Sequence, residues 1–222
     1  MNVTWLVLRS GFNMLALLLA LGLPTRAQDL NVFPSSPEQL IAVKERILLF
    51  IDLGQHSKAL QLLNPLLANS PADAELLAFL GRIELAKGNL LVAESQYLKS
   101  LKIAPRSVHS YLALGMLYGR KGDFKRALLM FNHAIEIDPS NSEAYSDRGV
   151  ARGATNQIKE SIRDFNRAIE LNPRYADAYR NRGIAREALK DLKGACSDWL
   201  AASTLGQEDP KKWYDRQCDP KK

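Results

Sequence analysis

An alanine recurs along this chain at intervals of 34 residues: Ala59, Ala93, Ala127 and Ala195, with Ser161 in the remaining place. Other columns keep the same register. Twelve residues earlier stand Ile47, Gly81, Gly115, Gly149 and Gly183, and sixteen earlier Val43, Leu77, Tyr111, Tyr145 and Tyr179. Four residues later come Leu63, Tyr97, Phe131, Phe165 and Trp199, and seven later Leu66, Ser100, Ala134, Ala168 and Ala202. Twelve later come Pro71, Pro105, Pro139 and Pro173, with Gln207 ending the series. A period of this size marks a stacked array, in which one supersecondary unit is copied and each copy buries its apolar face on the next.

The unit itself follows from helical periodicity. Tyr111, Leu114 and Tyr118 share one helix face, and Ala127, Met130, Phe131 and Ala134 another. Between them lies Lys121-Gly122-Asp123, where a glycine tolerates the positive φ that closes a helix. Each unit is therefore two antiparallel helices. Gly115 and Ala127 let the two backbones approach, Phe131 fills the space beside them, and Pro139 stops the second helix. Asn141 or Ser142 then caps the next one.

In period and in its aromatic, Gly, Ala, aromatic, Pro pattern the chain resembles the tetratricopeptide repeat (TPR) family over residues 38–207. The resemblance implies an all-α fold, a right-handed α–α superhelical solenoid of about five helix hairpins. The units fall at about 40–73, 74–107, 108–141, 142–175 and 176–207. An extended leader, residues 28–37, precedes them, with Pro34 and Pro37 as helix breakers. A short capping helix of about 209–218, opened by Asp209-Pro210, and a frayed tail finish residues 208–222. In that cap Trp213 and Tyr214 are placed to cover the last unit's apolar face.

The late units differ from the early ones. Arg148 and Arg182 precede their units' glycines, and sixteen residues on come Asp164 and Asp198. Units two and three carry Leu80 with Gln96 and Leu114 with Met130 at those places. In units two to five arginine thus appears with aspartate and leucine without it. That reads as a partly buried structural ion pair between the two helices of each late unit. Arg46 with Leu62 in unit one breaks the rule and suggests a solvent-exposed, capping role there. Arg152 and Arg186, one turn further on, leave a functional reading of these arginines open.

Residues 1–27 read as a signal peptide. The apolar run Met14 to Leu23 is short for a membrane span, Pro24 ends it, and Thr25-Arg26-Ala27 offers a small-x-small cleavage pattern. Export to a periplasmic, lumenal or secreted location follows. The alternative is an uncleaved N-terminal anchor over Trp5 to Leu23. An oxidising compartment would favour a disulfide between the two cysteines, Cys196 and Cys218, against two reduced thiols in a reducing one.

Nothing in the sequence assembles chemistry. His56, His109 and His133 fall at unrelated repeat positions, away from either cysteine, so no metal spacing is present. Glycines serve turns and packing rather than a phosphate loop, and no Gly-x-Ser-x-Gly elbow occurs. The net charge of +6 is spread along the chain without a basic run. We therefore expect no enzyme activity, cofactor, metal, small-molecule substrate or nucleic acid. The expected partner is a protein or peptide, with peripheral association to a membrane complex for an exported scaffold.

In the family, the first helices line a concave surface that holds ligands. Carried onto this chain, that implies a groove lined by Lys44 and Leu48 in the first unit and Arg82 in the second. The third contributes His109, Leu112 and Met116, the fourth Ser146 and Val150, and the fifth Arg180 and Ile184. An extended or helical peptide with an apolar stripe suits such a floor. Lys44 matches one lysine of the carboxylate clamp that chaperone-type members use, but Leu48 stands where that clamp needs asparagine. Tight binding of a free acidic C-terminus is therefore not expected. The alternative to a groove ligand is a self-associating module.

Overall fold

A computed structural model describes Pro34 and residues 36–218. The proposed signal peptide, nearly all of the leader and the last four residues lie outside that range. Among the described residues there are eleven α-helices and no strand. They pair as α1 (Pro37–Asp52) with α2 (His56–Asn69), α3 (Ala74–Ala86) with α4 (Leu90–Ile103), and α5 (Val108–Arg120) with α6 (Phe124–Ile137). Then follow α7 (Ser142–Ala154) with α8 (Ile158–Leu171), α9 (Ala176–Ala188) with α10 (Leu192–Thr204), and α11 (Glu208–Gln217) alone.

Side-chain caps start most of the first helices. Ser36, Asp73, Ser107 and Asn141 each accept hydrogen bonds from backbone N–H groups two or three residues on, which would otherwise be unpaired. Asn141 is thus the cap, and Ser142 the first helical residue. Pro37 does not break a helix. It occupies the first position of α1, where its missing N–H is one that no helix would use. At the other end Gln207 takes the cap position of α11, so Asp209 and Pro210 sit in the first turn rather than before it.

The turns inside the hairpins share one left-handed residue per unit. Gly54, Gly88 and Gly122 supply it in the first three units at φ of 68°, 85° and 76°. Asn156 and Lys190 hold the same place at 62° and 64°. Asparagine tolerates that conformation and lysine does so less readily. Lys190→Gly is therefore expected to stabilise the chain by about 0.5–1 kcal/mol. A higher urea midpoint at unchanged slope would show it; an unchanged midpoint would mean the turn carries no strain.

Within each hairpin the glycine column brings the helices together. A Cβ on Gly81 would lie 2.9 Å from the Tyr97 ring, and one on Gly149 2.8 Å from that of Phe165. Gly115 and Gly183 stand in the same relation to Phe131 and Trp199. Each second helix then packs on the first helix of the following unit. Successive first helices also touch one another, so they form the inside of the stack and the second helices the outside. The core is aliphatic at the N-terminal end, around Ile47, Leu63, Leu76 and Ile83. Towards the C-terminus buried Asp164 and Asp198 enter it.

The last unit is closed by α11. Pro210 is buried, and Trp213 meets Trp199 edge-on at 5.6 Å between centroids. The Gln207 amide donates to Asp177 at 2.9 Å. Cys196 and Cys218 are disulfide-bonded, with Cα atoms 5.6 Å apart.

Candidate protein-binding groove

The first helices present three parallel stripes towards the inside of the stack. On α5 the stripe is His109, Ala113, Met116; on α7 it is Glu143, Asp147, Val150; on α9 it is Asp177, Asn181, Ile184. Each runs i, i+4, i+7, which keeps its members on one helix face. Met116, Val150 and Ile184 stay 40%, 47% and 43% exposed, large apolar side chains left uncovered one unit apart. Exposed His109 begins the first stripe, and half-buried Leu48 holds the place equivalent to Met116 in the first unit.

Two residues expected on the groove floor are not there. Leu112 is 5% and Ser146 2% exposed, with Leu112 packed in the core cluster of the third unit. Lys44 and Arg180 occupy the same position in their units and keep their charged heads out on long stems. Those heads are engaged. The Lys44 ammonium donates to Asp73 at 3.0 Å and Glu75 at 2.7 Å. Burial alone would lower the Lys44 pKa, but Glu75 and Asp73 outweigh it and hold it above the usual lysine value. Arg82 pairs with Asp52, and Arg180 lies 3.7 Å from Asp177. The groove's cations thus already face carboxylates of their own chain.

The late-unit arginines are elsewhere, between the helices of each hairpin. Asp164, buried in the fourth unit, accepts from Arg148 Nε and Nη2 at 3.0 and 2.7 Å and from Arg152 at 2.7 Å. Asp198 repeats the pattern with Arg182 at 2.9 and 2.6 Å and Arg186 at 2.9 Å. The remaining nitrogen of each first arginine reaches back one unit, Arg148 to Asn132 at 2.8 Å and Arg182 to Asn166 at 2.7 Å. Arg152 and Arg186, readable from the sequence as functional, complete these structural triads.

Asp147 is the groove residue that sequence reasoning passed over. Its Oδ2 is buried with no hydrogen-bond partner. Burial, with the charges of Glu143 and Asp177 adding, pushes its carboxyl up to about 7. The same three acids, after burial, push the Tyr175 phenol up to about 12. The signal available in the sequence was an acid at a position that units two, three and five fill with Phe79, Ala113 and Asn181, although unit one has Glu45 there. Because the folded chain holds the Asp147 proton more tightly than the unfolded chain, stability falls as pH rises from 3.8 towards about 7 and is flat above. Asp147→Asn is expected to remove that decline, so that at pH 8 the variant is more stable than the wild type and at pH 4 is not. Urea midpoints at both pH values test it; identical pH profiles would contradict it.

Among the described residues no group of three or more His, Cys, Asp or Glu side chains is placed to hold a metal ion. Nor is any helix there long and apolar enough to cross a membrane.

Comparison with known proteins gives concordant matches. Profiles described as tetratricopeptide repeat match residues 45–108 and 108–141, and one described as TPR repeat matches 154–190. Among solved structures, PilF of Pseudomonas aeruginosa aligns with a TM-score of 0.70 at 15% identity, over 75% of this chain and 76% of its own. A thermophilic TPR protein of Thermus thermophilus aligns with a TM-score of 0.67 at 19% identity, over 79% of this chain and 97% of its own. MamA aligns with a TM-score of 0.61 at 20% identity, over 74% and 94%. These likenesses are of fold. No curated protein sequence matches the chain.

Proposed function

The chain is a tetratricopeptide repeat protein, and on that premise we propose that it is a non-enzymatic scaffold that holds a segment of a partner protein in its concave groove. The observation that carries this reading is the row Met116, Val150 and Ile184, left exposed at one repeat position in three successive units. A soluble chain gains by covering such side chains, and a row at fixed spacing fits an extended or helical segment better than a small molecule. Most other inward cations are taken up in internal ion pairs, and in units three to five this row is the exposed apolar surface of the first helices.

The N-terminal segment supports placing that work outside the cytoplasm. An apolar run closed by Pro24 and the pattern Thr25-Arg26-Ala27 reads as a signal for export. The disulfide is in keeping with an oxidising compartment. Assembly of an envelope or membrane complex is the task such an exported adaptor would serve.

Co-purification from the native envelope fraction tests the groove. The wild type should retain a specific partner that the Met116→Glu, Val150→Glu double variant loses while keeping its helical circular dichroism. Retention of the same partner by the folded variant would move the working surface off the concave side. A second reading has its own observation. Leu91 and Leu98 are 76% and 49% exposed on the outside of α4. Pairing of two copies through that face is the self-associating alternative, and a mass that doubles with concentration in light scattering would favour it.

A further inference from the structure

The groove carries charge as well as apolar surface. Glu143 and Asp177 hold the same repeat position one unit apart, and Asp147 lies one turn along from Glu143. Their mutual influence on Asp147 and Tyr175 puts all three acids in one neighbourhood. Arg180, 3.7 Å from Asp177, is the cation beside them. The other arginines of α7 and α9, Arg148, Arg152, Arg182 and Arg186, are held by Asp164 and Asp198 between the helices. The outside of the stack is mixed in charge. Lys125, Arg126, Lys159, Arg163, Arg167 and Lys193 are exposed on the second helices, and Arg126, Arg163 and Arg167 pair there with Asp123, Glu160 and Glu170. A chain with net charge +6 thus turns an acidic edge into its groove.

That edge runs beside the apolar row at a fixed distance. From Glu143 to Val150 is seven residues, two helical turns or about 10 Å, and from Asp147 to Val150 is three, about 5 Å. On α9 Asp177 and Ile184 repeat the longer spacing. A segment lying along the row therefore has carboxylates beside it, one turn to two turns away.

We propose that the groove of units three to five selects a partner segment that is both apolar and cationic. Its apolar side chains cover Met116, Val150 and Ile184, and a lysine or arginine seats against Glu143, Asp147 and Asp177. This rests on the groove reading above and names the chemistry of its occupant. Glu143 is exposed and the Asp177 side chain is 49% exposed, so a ligand ammonium or guanidinium can reach both carboxylates. An acidic segment would meet three acids with Arg180 as the one cation beside them, so the arrangement discriminates by repulsion as well as attraction.

The test selects a random ten-residue peptide display library against the chain purified from its own cells. The enriched peptides are expected to carry Lys or Arg within four residues of an apolar pair. Synthesised with a fluorescein label, they should bind at least tenfold more weakly to the Glu143→Gln, Asp147→Asn, Asp177→Asn variant. Glu143→Gln alone, a change at an exposed site, should give a loss of several-fold, which guards against the triple variant failing to fold. Raising NaCl from 50 to 300 mM should weaken binding to the wild type more than to the triple variant. Enriched peptides without basic residues, or equal affinity for wild type and Glu143→Gln, would overturn the cationic preference and leave the groove intact. Peptides bound as well by a Met116→Ser, Val150→Ser variant, or no enrichment at all, would overturn the groove reading and this proposal with it.

Discussion

Asp164→Ala is expected to lower the unfolding free energy by about 3–5 kcal/mol, a loss that Asp198→Ala in the fifth unit should match. Asp164 is 4% exposed and takes three hydrogen bonds from Arg148 and Arg152, whose side chains are themselves only 16% and 25% exposed. Without the carboxylate, two guanidinium groups converge in a partly dry seam with no counter-charge. The cost is that of stranding them, and is not what the triad contributes to stability. The chain contains its own control. At the equivalent places the third unit has Leu114, Tyr118 and Met130, all buried or half-buried and packed together. Replacing Arg148, Arg152 and Asp164 by Leu, Tyr and Met respectively should therefore stay within about 1–2 kcal/mol of the wild type, since a packed apolar set often matches a buried ion pair. Urea unfolding followed by circular dichroism measures both. If Asp164→Ala and the triple replacement lose equally, the triad is contributing real attraction, and the argument from stranded charge is wrong.

Breaking the disulfide comes next in size. Cys196 lies in α10 and Cys218 just past α11, 22 residues apart in sequence. Closing a loop of that length removes unfolded-state entropy worth about 3 kcal/mol in the chain-entropy account. In a stack whose units touch only their neighbours, that loss should be felt locally. Cys218→Ser, or reduction, is expected to free α11 and expose the last hairpin, where Trp199 now meets Trp213, while units one to three keep their stability. Amide hydrogen exchange resolves the two ends: protection should collapse in α11 and fall in α9 and α10, with little change in α3 to α6. Uniform loss of protection along the chain would show that the stack unfolds as one unit. Unchanged protection in α11 would show that the tryptophan contact and buried Pro210 suffice to hold the cap.

Much of this architecture was legible because a repeat writes the same physical demand several times. One glycine opposite one aromatic is weak information; Gly81, Gly115, Gly149 and Gly183 opposite Tyr97, Phe131, Phe165 and Trp199 specify a helix pair and its closest approach. The covariation of Arg148 with Asp164 and of Arg182 with Asp198 likewise pointed to a contact sixteen residues apart, and the structure places those groups within hydrogen-bond distance. The groove was less legible. Met116, Val150 and Ile184 are open while Leu112 and Ser146 are buried, although all five lie on first helices at inward positions. That difference of one turn depends on how closely successive first helices approach, which no single unit encodes.

The sequence by itself determined the all-α class, the number and register of the hairpins and the pairing of helices within each, because those follow from contacts inside a 34-residue unit repeated in phase. Only the tertiary structure decided that each buried aspartate gathers two arginines, which inner residues stay open, and that Asp147 carries an unpartnered oxygen between Glu143 and Asp177. Each of these is a relation between neighbouring units or between turns of different helices. Such relations depend on stacking angles and distances, to which many residues contribute a little and none contributes a legible motif.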